Sequence, residues 1–229
     1  MKTINDQIPA SGTLPDNYQE VLSWNLTGKP MRVIAMNILS VFLFVIFGFI
    51  FSWLAFNLGK LDGEFRISLS MIGLALAGIL LTSVLHELTH GLVMRMFGAR
   101  PKYGFIWKGL MLYATTPGYA YHRNSLVVIS LAPLVCLSIL AVLGMWLLQG
   151  TLWVALLGLC GALNASGAVG DMWIITMIVL RYAPTAYVMA ERDRMCVFLP
   201  KPLDEKMRHP AVELQPDNLK IEDAQHRLV

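Results

Sequence analysis

The sequence is poor in charged residues. Lys, Arg, Asp and Glu together make up 14% of the 229 residues, while hydrophobic residues make up 56%. A soluble domain carries about 25% charged residues. The deficit argues against an ordinary soluble protein, and the length is that of one compact domain. Basic residues do not dominate either, with a formal net charge of +3, and we expect no nucleic-acid partner.

Cysteine is also scarce. The three cysteines are Cys136, Cys160 and Cys196, and no two of them are close in the sequence. Their spacing matches neither a disulfide framework nor a cysteine-based metal motif. We therefore interpret them as small apolar core residues.

Long apolar runs are what the sequence has in abundance. Four segments reach the roughly 20 residues that are needed to cross a bilayer core. A bilayer admits helices or closed barrels, and unbroken runs of this length indicate helices. The sequence thus predicts an all-α polytopic membrane protein with about four transmembrane helices. The predicted spans cover residues 33–58, 67–97, 125–149 and 151–180.

Lys and Arg near the span ends predict that both termini lie in the cytosol. We expect a cytosolic N-terminal segment over 1–32, a membrane-embedded domain over 33–181, and a polar, partly disordered cytosolic tail over 182–229. The first residues are polar and loop-like and show no secretory signal, so the first span is expected to remain. Within the tail, Met195–Leu199 is a candidate strand.

The polar segment between the second and third spans has an alternating pattern. Tyr103, Phe105 and Trp107 alternate with Lys102 and Gly104. Alternation with aromatic residues predicts a short interfacial strand or hairpin. The alternative is an unstructured aromatic segment at the membrane surface.

The second span carries the sequence His-Glu-Leu-Thr-His-Gly at residues 86–91. Ionisable residues are costly in a bilayer, so this cluster is a candidate functional site. His86 and His90 are four residues apart and share one helix face, from which both reach one zinc ion. Glu87 then lies beside the position of a metal-bound water and is the expected general base. A structural zinc site remains an alternative.

A catalytic zinc site needs a third protein ligand, and Asp171 is the candidate. It is the only acidic or basic residue between 125 and 180. His86 and Asp171 lie 19 and 20 residues after the starts of their spans, at Ile67 and Thr151. At about 1.5 Å per residue, both are expected some 28 to 30 Å from the outer surface. A hydrogen-bonded His–Asp pair without metal is the alternative.

Asn164 lies seven residues before Asp171, on the same predicted helix face. It is a candidate catalytic residue that hydrogen-bonds the substrate backbone or the oxyanion. A role in helix packing is the alternative, because glycines surround it. The remaining histidines are expected in solvated loops, and Arg95 is expected at the interface beside a lipid headgroup. Those histidines are His122, His209 and His226.

Through these motifs and several shorter stretches, the chain resembles the bacterial putative zincin peptidase family, which is similar to the site-2 proteases. The resemblance implies a zinc metallopeptidase embedded in the bacterial cytoplasmic membrane, with His86, His90 and Asp171 as zinc ligands and Glu87 as the catalytic residue. It also implies a substrate-presenting edge strand around Lys102–Leu112. The stretches that carry it are Leu14-Pro15, Leu22–Leu26, His86–Gly91, Trp107–Leu110, Ala132-Pro133 and Gly170-Asp171.

Two departures concern the third ligand. Site-2 proteases usually have Leu-Asp-Gly there, with prolines upstream. In this chain Met172 follows Asp171, and Gly167 stands in the upstream region. The departures bear on the local helix geometry and on the role of Asn164.

The function predicted from the sequence is hydrolysis of peptide bonds in membrane or membrane-adjacent proteins through a zinc-activated water. The expected partners are such a substrate and the lipid bilayer. The alternative is a non-catalytic, zinc-stabilised membrane scaffold or regulator that binds transmembrane segments. A small transporter is less favoured, because few polar residues line the spans outside this one cluster.

Overall fold

The structure is a computed structural model that describes residues 12–25, 30–61, 68–106, 111–191 and 194–201. It is mostly helical. Four helical segments are long and apolar enough to cross a membrane: Val33–Asn57, Leu69–Met96, Arg123–Leu147 and Leu152–Arg181. The helices are α1 (Pro30–Asn57), α2 (Leu69–Met96), α3 (Arg123–Leu147), α4 (Leu152–Gly167) and α5 (Val169–Arg181).

The fourth apolar segment is not one continuous helix. The sequence predicted a single span over 151–180, but α4 ends at Gly167 and α5 begins at Val169. Between them Ala168 has φ −69° and ψ 5°. Its N–H donates to the Asn164 carbonyl at 3.2 Å, which closes the last turn of α4. Serine and glycine at this point, Ser166 and Gly167, fit the usual causes of a sharp helix interruption.

In the described part of the chain, six short strands accompany the helices. Four of them form an antiparallel sheet in the order β1-β6-β5-β4, and the other two form a hairpin, β2-β3. In the sheet, Trp24 pairs with Met195 and Tyr121 with Val188. The strands are β1 (Tyr18–Asn25), β2 (Lys102–Ile106), β3 (Met111–Thr115), β4 (Ala120–His122), β5 (Tyr187–Glu191) and β6 (Arg194–Pro200).

Two predictions about strands are confirmed. The alternating segment after α2 forms the β2-β3 hairpin, in which Tyr103 pairs with Ala114. The candidate strand Met195–Leu199 lies within β6. Residues 107–110, with Trp107 of the predicted pattern, lie outside the described residues, as does the tail from residue 202 onward.

The prediction of an all-α protein is confirmed in part: the described residues are mostly helical, with four apolar helical segments, but the prediction missed the four-stranded sheet. Strand β1 lies in the segment that was expected to be loop-like, and β5 lies in the expected tail. The alternation in β1 is short and is interrupted by an irregularity between Glu20 and Leu22. Its partner β6 is more than 160 residues away in the sequence, so no local pattern indicates the pairing.

All strands lie at one end of the helices. β1 precedes α1, the hairpin follows α2, β4 runs directly into α3, and β5 follows α5. At the opposite end, the links between α1 and α2 and between α3 and α4 meet, where the Gly150 N–H donates to the Gly59 carbonyl at 2.8 Å. The molecule therefore has a sheet end and a link end.

Two clusters of buried apolar residues lie within the described ranges. One lies beneath the sheet and includes Tyr121, Ile129 and Val188. The other lies between α1, α3 and α4, where the Phe51 ring packs so closely on Gly161 that a Cβ there would overlap it. Glycine thus permits the close approach of α1 and α4.

The cysteines and His122 differ in part from expectation. Cys196 is buried, as predicted, whereas Cys136 is exposed on α3. His122 does not lie in a solvated loop: it is half-buried in β4, with its ring 5.8 Å from that of Tyr187. Burial and the neighbouring Arg123 charge lower the pKa of His122. His209 and His226 lie outside the described residues.

Candidate metal centre

The three predicted ligands come together in the structure. His86 and His90 lie one turn apart on α2, and their ring centroids are 5.0 Å apart. Asp171 lies in the first turn of α5. Its Oδ2 is 3.2 Å from His86 Nε2 and 3.3 Å from His90 Nε2. The helix that restarts after Ala168 therefore carries the Asp171 carboxylate in its first turn, where it faces both histidines.

The other nitrogen of His86 is held by Asn164. The Asn164 Oδ1 lies 3.0 Å from His86 Nδ1, and its Nδ2 donates to the Pro133 carbonyl at 3.1 Å. A carbonyl only accepts hydrogen bonds, so this contact fixes which end of the amide faces His86. Oδ1 must then accept from His86, which places the proton of a neutral His86 on Nδ1.

The other nitrogen of His90 is held by the main chain of α3. His90 Nδ1 donates to the Ile129 carbonyl at 2.9 Å, and both residues are buried. The second nitrogen, Nε2, is left with its lone pair toward Asp171. Both histidines are thus oriented by an acceptor behind the ring, as metal-bound histidines usually are.

The donor set fits a divalent cation. Two imidazole lone pairs and a carboxylate oxygen converge, and they repel one another unless a cation or protons lie between them. Two histidine nitrogens and one carboxylate oxygen are the ligands of many catalytic zinc sites, which leave a fourth position open. The residues present are therefore compatible with zinc.

Glu87 belongs to the same centre. Metal-ligating atoms of His86, Glu87 and His90 all lie within 4.8 Å of one another. Glu87 is half-buried, and the backbone of Ala114 in β3 lies beside its carboxyl group. The hairpin therefore lies directly beside the predicted general base.

A glycine allows the hairpin to approach α2. A Cβ at Gly91 would overlap the Tyr103 hydroxyl and ring. Gly91 follows His90 and lies one turn after Glu87, on the same helix face. The glycine that ends the His-Glu motif thus leaves room for β2.

Asn164 faces the candidate centre from α4. It is buried, with 3% of its surface exposed, and both ends of its amide have partners in the protein. The predicted contact with the substrate or the oxyanion stays a prediction. Asn164 is placed to orient His86. Its amide contacts are polar and directed at the site, and the packing alternative also stays a prediction.

Two groups at the site had not been identified from the sequence as functional. The Ile129 carbonyl behind His90 is a backbone atom, which has no side-chain signature. The Pro133 carbonyl behind Asn164 is another. The available signal was a proline inside an apolar span, which disturbs helix hydrogen bonding wherever it occurs.

Comparison with known proteins supports this reading of the centre. Residues 79–187 match the family model of the putative zincin peptidases. The match covers slightly less than half of the chain and includes His86, Glu87, His90 and Asp171. It confirms the family resemblance, while the likeness to site-2 proteases stays a prediction. Neither the curated proteins nor the solved structures contain a match to this chain.

Proposed function

We propose that the protein is a membrane-embedded zinc metallopeptidase. In this proposal His86, His90 and Asp171 bind the metal, and Glu87 is the general base. The observation that carries it is the meeting of both Nε2 atoms at the Asp171 carboxylate, with Glu87 at the same centre. The matching family model supports a peptidase of the zincin type.

The surface of the helices supports insertion into a bilayer. On α1, Phe49 and Trp53 are 74% and 64% exposed, and similar side chains continue along α2 and α3. A soluble monomer rarely exposes so large an apolar surface. A bilayer around the four apolar segments covers it.

The charges support an orientation. At the sheet end, exposed basic side chains lie in the last turns of α2 and α5 and directly after α2, among them Arg95, Arg181 and Arg100. Basic residues near span ends favour the cytosolic side. We therefore propose that the sheet and both termini face the cytosol of a bacterial inner membrane, and that the site lies closer to the cytosolic side. His90 lies six residues before the end of α2, about 9 Å from that end.

The chemistry follows from the positions of the side chains. Zinc held by the three ligands would supply Lewis acidity, lowering the pKa of a water and polarising the scissile carbonyl. Glu87 removes a proton from the attacking water and later donates it to the leaving amine. Asn164 keeps His86 in the orientation that directs Nε2 to the centre.

The hairpin supports an extended peptide as substrate. A transmembrane helix protects its peptide bonds within its own hydrogen bonds and must unwind locally before hydrolysis. An unwound segment that adds beside the hairpin would recover backbone hydrogen bonds. Because Ala114 of β3 lies beside Glu87, such a segment would reach the base. The proposed substrates are therefore membrane or membrane-adjacent proteins.

The test compares wild type with Glu87→Gln in membranes of the expressing cells. New protein N-termini created by cleavage are mapped by mass spectrometry after labelling of free amines. We expect a set of N-termini near membrane segments that appears with wild type and is absent with Glu87→Gln. Zinc content of the purified proteins serves as the control, and both should hold about one zinc.

The competing function is a zinc-stabilised scaffold without catalysis. A structural zinc site normally has four protein ligands and needs no base. Glu87 at the centre favours the enzyme instead. Identical sets of N-termini from wild type and Glu87→Gln, with zinc retained in both, would decide for the scaffold.

A further inference from the structure

Pro133 interrupts the backbone hydrogen bonding of α3 at the height of the metal centre. The proline lies inside α3 and is buried, as is Ile129 four residues earlier. In a regular helix the N–H of residue 133 would donate to the carbonyl of residue 129. Proline has no N–H, so this carbonyl loses its helical donor.

A buried carbonyl without a donor is costly, and in this structure another donor takes the place. His90 Nδ1 donates to the Ile129 carbonyl at 2.9 Å. The missing backbone donor and the histidine donor thus concern the same acceptor. Because a carbonyl can only accept, the contact keeps the proton of a neutral His90 on Nδ1 and leaves Nε2 for the centre.

The carbonyl of Pro133 itself supports the second histidine. It accepts from Asn164 Nδ2 at 3.1 Å, and Asn164 Oδ1 in turn holds His86 Nδ1 at 3.0 Å. One residue of α3 therefore lies behind both histidines. Pro133 acts on His90 by leaving the Ile129 carbonyl without a helical donor, and on His86 through Asn164.

We propose that Pro133 is a positioning residue for the metal centre, which presents the Ile129 carbonyl to His90 by withholding the N–H that would otherwise occupy it. The proposal rests on the metal centre of the proposed function. An N–H at position 133 would draw the Ile129 carbonyl along the helix axis and compete with His90. The ring of His90 would then lose its fixed orientation.

The central test is Pro133→Ala in the full-length protein, purified in detergent. Zinc affinity is measured by competition with a chromophoric chelator, and the unfolding midpoint is measured on the metal-free protein. We expect zinc affinity to fall by roughly 10- to 100-fold, the range for residues that orient a metal ligand. The midpoint should stay equal or rise, because proline is unfavourable inside a helix. A residue that merely stabilises the fold would not move the two in opposite directions.

Two further proteins isolate the N–H. In the ester analogue of the Pro133→Ala variant, an oxygen replaces the new N–H, and we expect zinc affinity to return to within about threefold of wild type, since the competing hydrogen bond is gone. Pro184→Ala makes the same substitution in the exposed segment between α5 and β5. It should leave zinc affinity unchanged.

Each other outcome overturns the proposal. Unchanged zinc affinity in Pro133→Ala would show that the carbonyl is not contested. Equal weakening in the ester analogue would assign the effect to the proline ring. A falling midpoint would assign Pro133 to the stability of the fold. In all three cases a wild type that binds zinc leaves the proposed function standing, whereas a wild type that binds none overturns both.

Discussion

Helix α3 and the α4–α5 segment both interrupt their helical hydrogen bonding, yet the two interruptions differ in kind. In α3, Pro133 lies inside a helix that continues from Arg123 to Leu147. Between α4 and α5, the helix ends and restarts around Ala168. In α3 the interruption leaves the Ile129 carbonyl without its helical donor, and this carbonyl accepts a hydrogen bond from His90. At the α4–α5 break, the new helix begins with Asp171 in its first turn, facing the two histidines.

The difference shows how each interruption is stabilised. The Ile129 carbonyl freed in α3 accepts a hydrogen bond from His90 of the candidate metal centre. The same bond gives the carbonyl a donor and the His90 ring an acceptor. At the break the Ser166 carbonyl accepts instead from the Ser40 hydroxyl of α1 at 2.9 Å. The break is thus contacted by a helix outside the segment that matches the family model. A polar site in an apolar bundle needs partners for the backbone as well as for the side chains.

The largest effect is expected at the residue that the break positions. Asp171→Ala removes a ligand, and zinc affinity should fall by more than about 100-fold, beyond the roughly 10- to 100-fold loss typical of residues that only support a ligand. Chelator competition on the purified protein measures it. Met172→Ala, at the exposed neighbouring position, is the matched control. Wild-type affinity in Asp171→Ala would remove Asp171 from the centre.

The next effect concerns the residue that joins the two interruptions. Asn164 contacts Pro133 and His86 through its side chain, and its carbonyl accepts the Ala168 N–H. Asn164→Ala should weaken zinc binding by about 10- to 100-fold, because His86 loses its acceptor. Asn57→Ala, at the exposed end of α1, controls for loss of a helix asparagine. If both variants bind zinc as wild type does, Asn164 has no part in orienting His86.

The smallest effect is expected at the support of the break. Ser40→Thr and Ser40→Val have nearly the same shape, but only threonine keeps the hydroxyl for the Ser166 carbonyl. Valine should lower the free energy of unfolding by about 1 kcal/mol relative to threonine, because it leaves a buried carbonyl without this donor. Unfolding midpoints of the two purified variants measure the difference. Equal midpoints would show that α1 does not stabilise the break.

The sequence predicted the side chains of the site better than its supports. His86, Glu87 and His90 follow from their spacing, and Asp171 follows because a lone carboxylate in an apolar span needs a partner. The contacts of Asp171 with both histidines agree with the depth estimate. The residue spacing is a local signal, and the lone carboxylate is unusual because of its apolar span. Both signals can be detected in the sequence alone.

The missed features depend on tertiary contacts. The break at Ala168 has no proline in the sequence to indicate it, and its hydrogen bond to α1 comes from Ser40, 126 residues before Ser166. The sheet joins β1 to β6 from opposite parts of the chain. The Ile129 carbonyl belongs to the main chain, which every residue shares. Sequence patterns therefore predicted which side chains lie together at the candidate centre, but not how the backbone holds them.

The most direct test of the metal centre is X-ray absorption at the zinc edge on the purified full-length protein. We predict about one zinc with two imidazole nitrogens at about 2.0–2.1 Å, oxygen ligands at about 2.0–2.2 Å, and no sulfur. In Asp171→Ala, any zinc that remains should keep the imidazoles and lose the carboxylate. A protein that takes up no zinc, or a zinc with sulfur ligands, would contradict the centre described by His86, His90 and Asp171.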